Sequence, residues 1–196
     1  MATGRRPNIN DLHLENTDIQ ISNRSNIITN EFKETNVAGV FATGDVTNAL
    51  QFTYISLDDS RIIADFIYGN RKRTINNRGA IPYTVFIDPA LSRVGITEKE
   101  AIDNGYSINV FRLKVAAIPK ARVLGATDGL LKVIVNKEDN LILGAHLFSA
   151  ESYEVINIIK LAIDNKIPYN VLRDNIYNHP TMSEAFNYLF SDVNKK

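Results

Sequence analysis

The spacing of apolar residues changes near residue 79, and the two stretches on either side predict differently built parts. The first 35 or so residues are polar and irregular, with Gly4, Pro7 and six asparagines (Asn8, Asn10, Asn16, Asn23, Asn26 and Asn30) broken only by short alternations such as Ile19-Gln20-Ile21. Such a stretch is a poor start for an independent domain. Val37-Ala38-Gly39-Val40-Phe41-Ala42-Thr43-Gly44-Asp45 then reads as a short buried strand running into a turn, one that needs parallel neighbours. From Gln51 to Tyr68, Phe52, Ile55, Ile62, Ile63, Phe66 and Ile67 partly follow helical spacing, and Gly69-Asn70 supplies a stop, so one amphipathic helix is predicted. The basic, polar stretch Arg71 to Arg78, followed by Gly79, reads as a linker. It places the boundary between domains of residues 1–78 and 79–196.

Beyond the boundary the pattern is strand-rich. Tyr83 to Ile87 is a β-type run closed by Asp88-Pro89, and Thr97 to Asn104 is a short helix capped by Thr97 and ended by Gly105. Ile108 to Val115 forms a strand, and Leu130 to Val135 and Leu141 to Phe148 are two more, joined by the polar turn Asn136-Lys137-Glu138-Asp139-Asn140. That makes roughly four strands, largely antiparallel. Helices are predicted over Glu151 to Asn165, near Tyr169 to Asp174, and over Thr181 to Phe190. The fold class is α+β, with one sheet face covered by helices. Val155, Ile159 and Ile163, with Tyr188, Leu189 and Phe190, offer an apolar surface for a two-fold interface, or else simply pack inside the domain.

Composition narrows the function classes. The 196 residues are 44% hydrophobic, enough for a genuine core, and 22 basic residues balance 22 acidic ones, so no net field favours nucleic acid or a membrane surface. No apolar run approaches the roughly 20 residues that span a bilayer, and Met1 to Pro7 lacks a signal-peptide core, which points to a cytoplasmic protein. The absence of cysteine excludes disulfides, thiolate metal sites and cysteine nucleophiles within this chain, and no metal site is read. Thiol chemistry here would need sulfur from elsewhere.

Three places carry candidate chemistry. Gly44 permits a tight turn, and Asp45 at a strand's carboxyl end could accept hydrogen bonds from ribose-type hydroxyls, although strand-Gly-Asp turns are also ordinary structure. Gln51-Phe52-Thr53-Tyr54 opens the helix, where backbone N–H groups and the dipole favour anionic charge on a ligand. The plain alternative is a helix start with Phe52 in the core. In His179-Pro180-Thr181-Met182-Ser183-Glu184, Thr181 and Glu184 have the spacing of a capping box, which would leave His179 a loop residue. Otherwise Glu184 accepts a hydrogen bond from one imidazole nitrogen of His179 and raises its basicity, while the other nitrogen faces a reacting group. Pro180 restricts His179 to extended geometry, and a cis peptide there is one way to hold it. His13 and His146 read as structural.

Taken in order, Ala2-Thr3-Gly4-Arg5-Arg6-Pro7-Asn8, Gly39 to Asp45, Val94-Gly95-Ile96-Thr97-Glu98 and His179 to Glu184 resemble the class I pyridine nucleotide-disulfide oxidoreductases. That family includes dihydrolipoamide dehydrogenase, glutathione reductase and mercuric reductase. Gln51 to Asp59 and Ala116 to Leu124 are most similar to its bacterial branch of reactive-chlorine-resistance and hypothiocyanous acid reductases. The resemblance implies that the first segment marks the return from an NAD domain to an FAD domain. It implies that Gly44 and Asp45 bind the flavin's ribityl region, and that Phe52 and Thr53 present backbone N–H groups to its pyrimidine. Residues from about 79 onward would form the interface domain of a homodimer, with His179 and Glu184 acting in the partner subunit's active site. The implied pathway runs from NAD(P)H to FAD, to a cysteine pair, to a small-molecule disulfide or oxidant substrate.

The family's dinucleotide fingerprint and its Cys-x4-Cys pair do not occur in this sequence, so the chain alone is expected to be inactive and to bind no FAD or NAD(P)H. It reaches Lys195-Lys196 without the cysteine pair with which mercuric reductases pass metal inward, which disfavours mercury as substrate. The competing reading is a non-catalytic dimerisation or binding module in which His179 and Glu184 are structural.

Overall fold

The computed structural model describes residues 4–47 and 49–191. Ala2 and Thr3, and the terminal Lys195-Lys196, lie outside the described residues. The chain divides into two compact units, residues 1–79 and 80–196.

The first unit holds one long helix, α1 (Thr53–Tyr68), ended by Gly69, and is otherwise built of turns and short 3-10 segments. Its small apolar core is Leu14, Ile27 and Ala42, with Ile9, Ile19 and Val46 against it. The predicted strand over 37–45 is absent. Phe41 makes only an isolated bridge to Glu34, and Gly44–Thr47 is a turn of 3-10 helix. The apolar run fitted a strand, but no strand among the described residues pairs with it, and its backbone takes local hydrogen bonds instead. The stretch 71–78 is likewise more than a linker: Arg73 pairs with Asp58, and Arg78 forms ion pairs with both Asp58 and Asp59 of α1.

The second unit is a five-stranded antiparallel sheet in the order β1-β2-β5-β4-β3, from β1 (Tyr83–Val85), β2 (Leu91–Gly95), β3 (Ile108–Lys114), β4 (Leu130–Asn136) and β5 (Ile142–Phe148). The expected α+β class holds, with five strands where four were predicted. The extra strand is β2, whose buried Ser92 breaks the apolar pattern. Its hydroxyl is satisfied by Thr84 at 2.8 Å and Ser152 at 3.0 Å. Helix α2 (Glu98–Asp103) has the capping box Thr97/Glu100, and α3 (Pro119–Leu124) adds a short segment with Pro at its first position.

One sheet face packs with α4 (Ser152–Asp164), α5 (Tyr169–Asp174) and α6 (Ala185–Leu189). Val94, Leu131, Val133, Ala145 and Leu147 share a core with Val155, Ile156, Ile159, Phe186 and Leu189. The surface predicted for a two-fold interface is therefore mostly interior. Val155, Ile159, Leu189 and Phe190 are buried within the unit, and only Tyr188 is well exposed, because the chain's own sheet covers that stripe. No helix among the described residues is long and apolar enough to cross a membrane.

On the opposite face, Tyr83, Arg93, His146, Lys132 and Arg112 stand in one cross-strand row, each directly paired with the next. Glu98 of α2 bonds Arg112 at 2.9 Å and Lys132 at 3.0 Å. His146 lies between Arg93 and Lys132, and its Nε2 is buried without a hydrogen-bond partner among the described residues. Burial, then the Lys132 and Arg93 cations, hold its pKa below the ordinary 6.5, with Glu100 acting weakly the other way. The unfolded chain takes up a proton at this residue at higher pH than the folded chain. Stability is therefore lost as pH falls below about 6.5. The thermal midpoint of His146→Gln is expected to fall less than that of the parent between about pH 7 and about pH 5; equal losses would show that His146 does not couple folding to pH.

Candidate functional site

Three of the four residues predicted to meet a cofactor line a single cleft in the first unit. Its volume is about 750 Å³, and its walls include Arg6, Asn8, Thr43, Gly44, Asp45, Gln51 and Thr53. Phe52 is not among the lining residues; it stands just before Thr53 as the extended residue that precedes α1. Its side chain makes no cap, while its carbonyl accepts the Ile55 and Ser56 N–H groups at 2.9 and 3.3 Å, so the Thr53 and Tyr54 amides open α1 ahead of any helical carbonyl. The helix therefore presents its positive end to this cleft.

Asp45 reaches the cleft with half its side chain exposed, 3.6 Å from Arg5 Nη1, which is more exposed still. A pair so open to water contributes little and exchanges readily for a ligand. Gly44 has φ of 69°, and a Cβ there would collide with Ser56 on α1. The left-handed φ and the close approach of the helix both call for glycine here. The Gly44 N–H donates to Asp59 Oδ2 at 2.8 Å, and Asp59 is wholly buried against Lys33 and Arg78. Sequence reading missed Arg5, Lys33 and Asp59. For Asp59 the signal was present: it lies four residues after Ile55 and three before Ile62, inside the apolar stripe of α1.

In the second unit His179 Nδ1 lies 2.8 Å from Glu184 Oε2. The Glu184 side chain is 6% exposed and that of His179 is 69% exposed. The capping box is only half formed. Thr181 Oγ1 accepts the Glu184 N–H at 3.4 Å, but its own proton goes to the Asn178 carbonyl, and the Glu184 carboxylate turns to the histidine. Helix α6 begins at Ala185, so the predicted start at Thr181 is four residues early. Glu184 is set in place by its neighbours: Met182, Ala185 and Phe186 are inserted into the core, and Asn187 donates to the carbonyls of Arg173 and Asn175. The His179–Pro180 peptide is cis.

An ionised carboxylate accepts hydrogen bonds and does not donate them, so the contact suits the His179 tautomer with the proton on Nδ1 and Nε2 left as acceptor. His13 makes a similar contact to Glu15 at 3.1 Å, but both side chains are about 70% exposed, and water weakens any such effect.

Comparison with known proteins identifies the family of the chain. Residues 81–190 match the family model described as pyridine nucleotide-disulphide oxidoreductase, dimerisation domain, and residues 1–60 match the model for pyridine nucleotide-disulphide oxidoreductase. The chain belongs to this family. It is 48% identical over 193 residues to the probable pyridine nucleotide-disulfide oxidoreductase RclA of Escherichia coli, covering 98% of this chain and 44% of that protein. It is 33% identical to the mercuric reductase of Staphylococcus aureus, covering 94% of this chain and 34% of that one. Among solved structures, the HOCl-induced flavoprotein disulfide reductase RclA from Escherichia coli superposes with a TM-score of 0.95 at 47% identity, over 98% of this chain and 44% of that one. The chain thus spans less than half the length of these relatives.

The position of the proton on His179 is open to direct measurement. Nitrogen-15 spectra of the imidazoles are expected to show His179 protonated at Nδ1 when neutral, and Glu184→Ala to abolish that preference. An Nε2-protonated ring in the parent would contradict the placement of the proton.

Proposed function

We propose that this chain supplies the dimer-forming part and a portion of the flavin site of an FAD-dependent NAD(P)H:disulfide oxidoreductase. The observation that carries the catalytic reading is the buried Glu184 carboxylate, held 2.8 Å from Nδ1 of a mostly exposed histidine. A purely structural glutamate has no need of a solvent-facing imidazole, and a capping glutamate would have turned back toward Thr181.

The cleft of the first unit suits one end of a flavin. Asp45 offers a carboxylate for polyol hydroxyls, and the first-turn amides of α1 at Thr53 suit a partly anionic ring edge. Bound there, FAD would supply a two-electron carrier between NAD(P)H and a cysteine pair. This chain's residues would bind and orient it, while His179 would handle protons.

In that role His179 Nε2 takes the proton of a thiol, and the thiolate so formed is the nucleophile of disulfide exchange. Glu184 stabilises the resulting imidazolium through the Nδ1–H bond. The proton returns from Nε2 to the sulfur that leaves, so the pair is restored after each exchange. The relevant thiol belongs to the partner subunit in a homodimer, and the substrate is a small-molecule disulfide or a related oxidant. A disulfide substrate accords with the similarity to RclA, a flavoprotein disulfide reductase.

In the full-length reductase, His179→Ala is expected to lower NAD(P)H-dependent disulfide reduction about 100-fold, the scale of a lost general acid or base. Wild-type turnover in that variant would favour the non-catalytic reading, in which the pair only holds the chain ahead of α6.

A further inference from the structure

The Gly44–Thr47 turn is held by a ring of buried and half-buried polar contacts that does not include Asp45. Gly44 N–H donates to Asp59 Oδ2 at 2.8 Å, and Lys33 Nζ lies 3.3 Å from the same oxygen. Lys33 Nζ also donates to Thr47 Oγ1 at 2.6 Å, and the Thr47 hydroxyl donates to the Gly44 carbonyl at 2.9 Å. The Gly44 N–H is therefore tied directly to the Asp59 carboxylate, and the Gly44 carbonyl is tied to the same group through Thr47 and the Lys33 ammonium. Arg78 takes the other oxygen of Asp59, and the Lys33 backbone is itself fixed by the Ala42 N–H at 3.0 Å.

Stability alone does not require such an arrangement. The Lys33 and Asp59 side chains are 4% and 0% exposed, and taking two charges out of water costs much of what their attraction returns. Apolar residues of similar size would serve a core at least as well. What the ions add is direction: they hold one turn in one conformation, next to a carboxylate that leans, half exposed, into the cleft.

We propose that Lys33, Asp59 and Thr47 form a clamp that preorganises the Gly44–Asp45 turn and so sets the affinity of the cleft for flavin. They are positioning residues, acting through the turn without touching the cofactor, and the inference rests on the flavin reading above. A preformed turn binds without paying to be ordered, and a loosened one loses affinity although every contacting group is still present.

The test measures FAD binding to the apo form of the full-length reductase by flavin fluorescence, beside the thermal midpoint of the same apo protein. Thr47→Val keeps the shape and removes the hydroxyl link. It is expected to raise the FAD dissociation constant about 10-fold with little change in the midpoint, while Thr47→Ser stays near wild type. Lys33→Met is expected to weaken FAD at least as much. Wild-type FAD affinity in Thr47→Val, or equal weakening in Thr47→Val and Thr47→Ser, would overturn the clamp. Asp45→Ala separates the two ideas: weakened FAD binding there with wild-type binding in Thr47→Val sinks the clamp alone. Unchanged binding in Asp45→Ala sinks the flavin reading and the clamp together.

Discussion

Phe190 meets Phe111 of the sheet edge-on at 5.4 Å between ring centroids, with Tyr169 at 5.3 Å and Phe186 at 6.0 Å completing the contact. These rings decide where the last part of the described chain runs. Each such pair contributes about 0.5–1.5 kcal/mol beyond its buried area. Together they dock α6 on the sheet and draw Met182, Ala185 and Leu189 into the core. Glu184 is carried inward with them, and His179, five residues earlier, stays outside. The contrast in exposure between the two residues is thus a by-product of hydrophobic packing, and a loosened α6 would let water reach the carboxylate.

The first unit reaches order by another route. Its apolar core is small, and the close packing of Gly44 on α1 is secured by charges: Asp59 on one side, Lys33 and Arg78 on the other. A buried ion cluster is a weak source of stability but a strict one of geometry, since each partner tolerates few positions of the others. That trade suits a segment whose task is to hold a turn and a helix N-terminus along one cleft. The same logic explains why stretch 71–78, basic and polar in sequence, folds back onto α1.

Periodic elements were the legible part of this chain. Helix α1, the capped α2, and strands β3, β4 and β5 announce themselves by spacing and by terminating residues. Strand β2 hides behind Ser92 and Arg93, whose partners lie on β1, β5 and α4 and are invisible locally. The apolar run before Gly44 looks like a strand because composition cannot say whether a neighbour is there to pair with it. The stripe on α4 was equally ambiguous: Val155 and Ile159 would look the same facing a partner subunit as they do facing their own sheet. At the site, Asp45, Thr53, His179 and Glu184 were legible only as an ordered set. Whether Glu184 completes the capping box or meets His179 depends on where one carboxylate turns, which local sequence does not show.

The central claim is that the buried Glu184 and exposed His179 serve a thiol of the partner subunit. Mixed dimers test it most directly. One full-length subunit carries His179→Ala and the other has its redox cysteines replaced by serine, so that each parent homodimer is inactive. The account predicts that the mixed dimer recovers about half of wild-type turnover, since one of its two sites then combines an intact cysteine pair with an intact histidine. A mixed dimer as inactive as its parents would contradict it, placing the histidine and the cysteines of each site on the same chain.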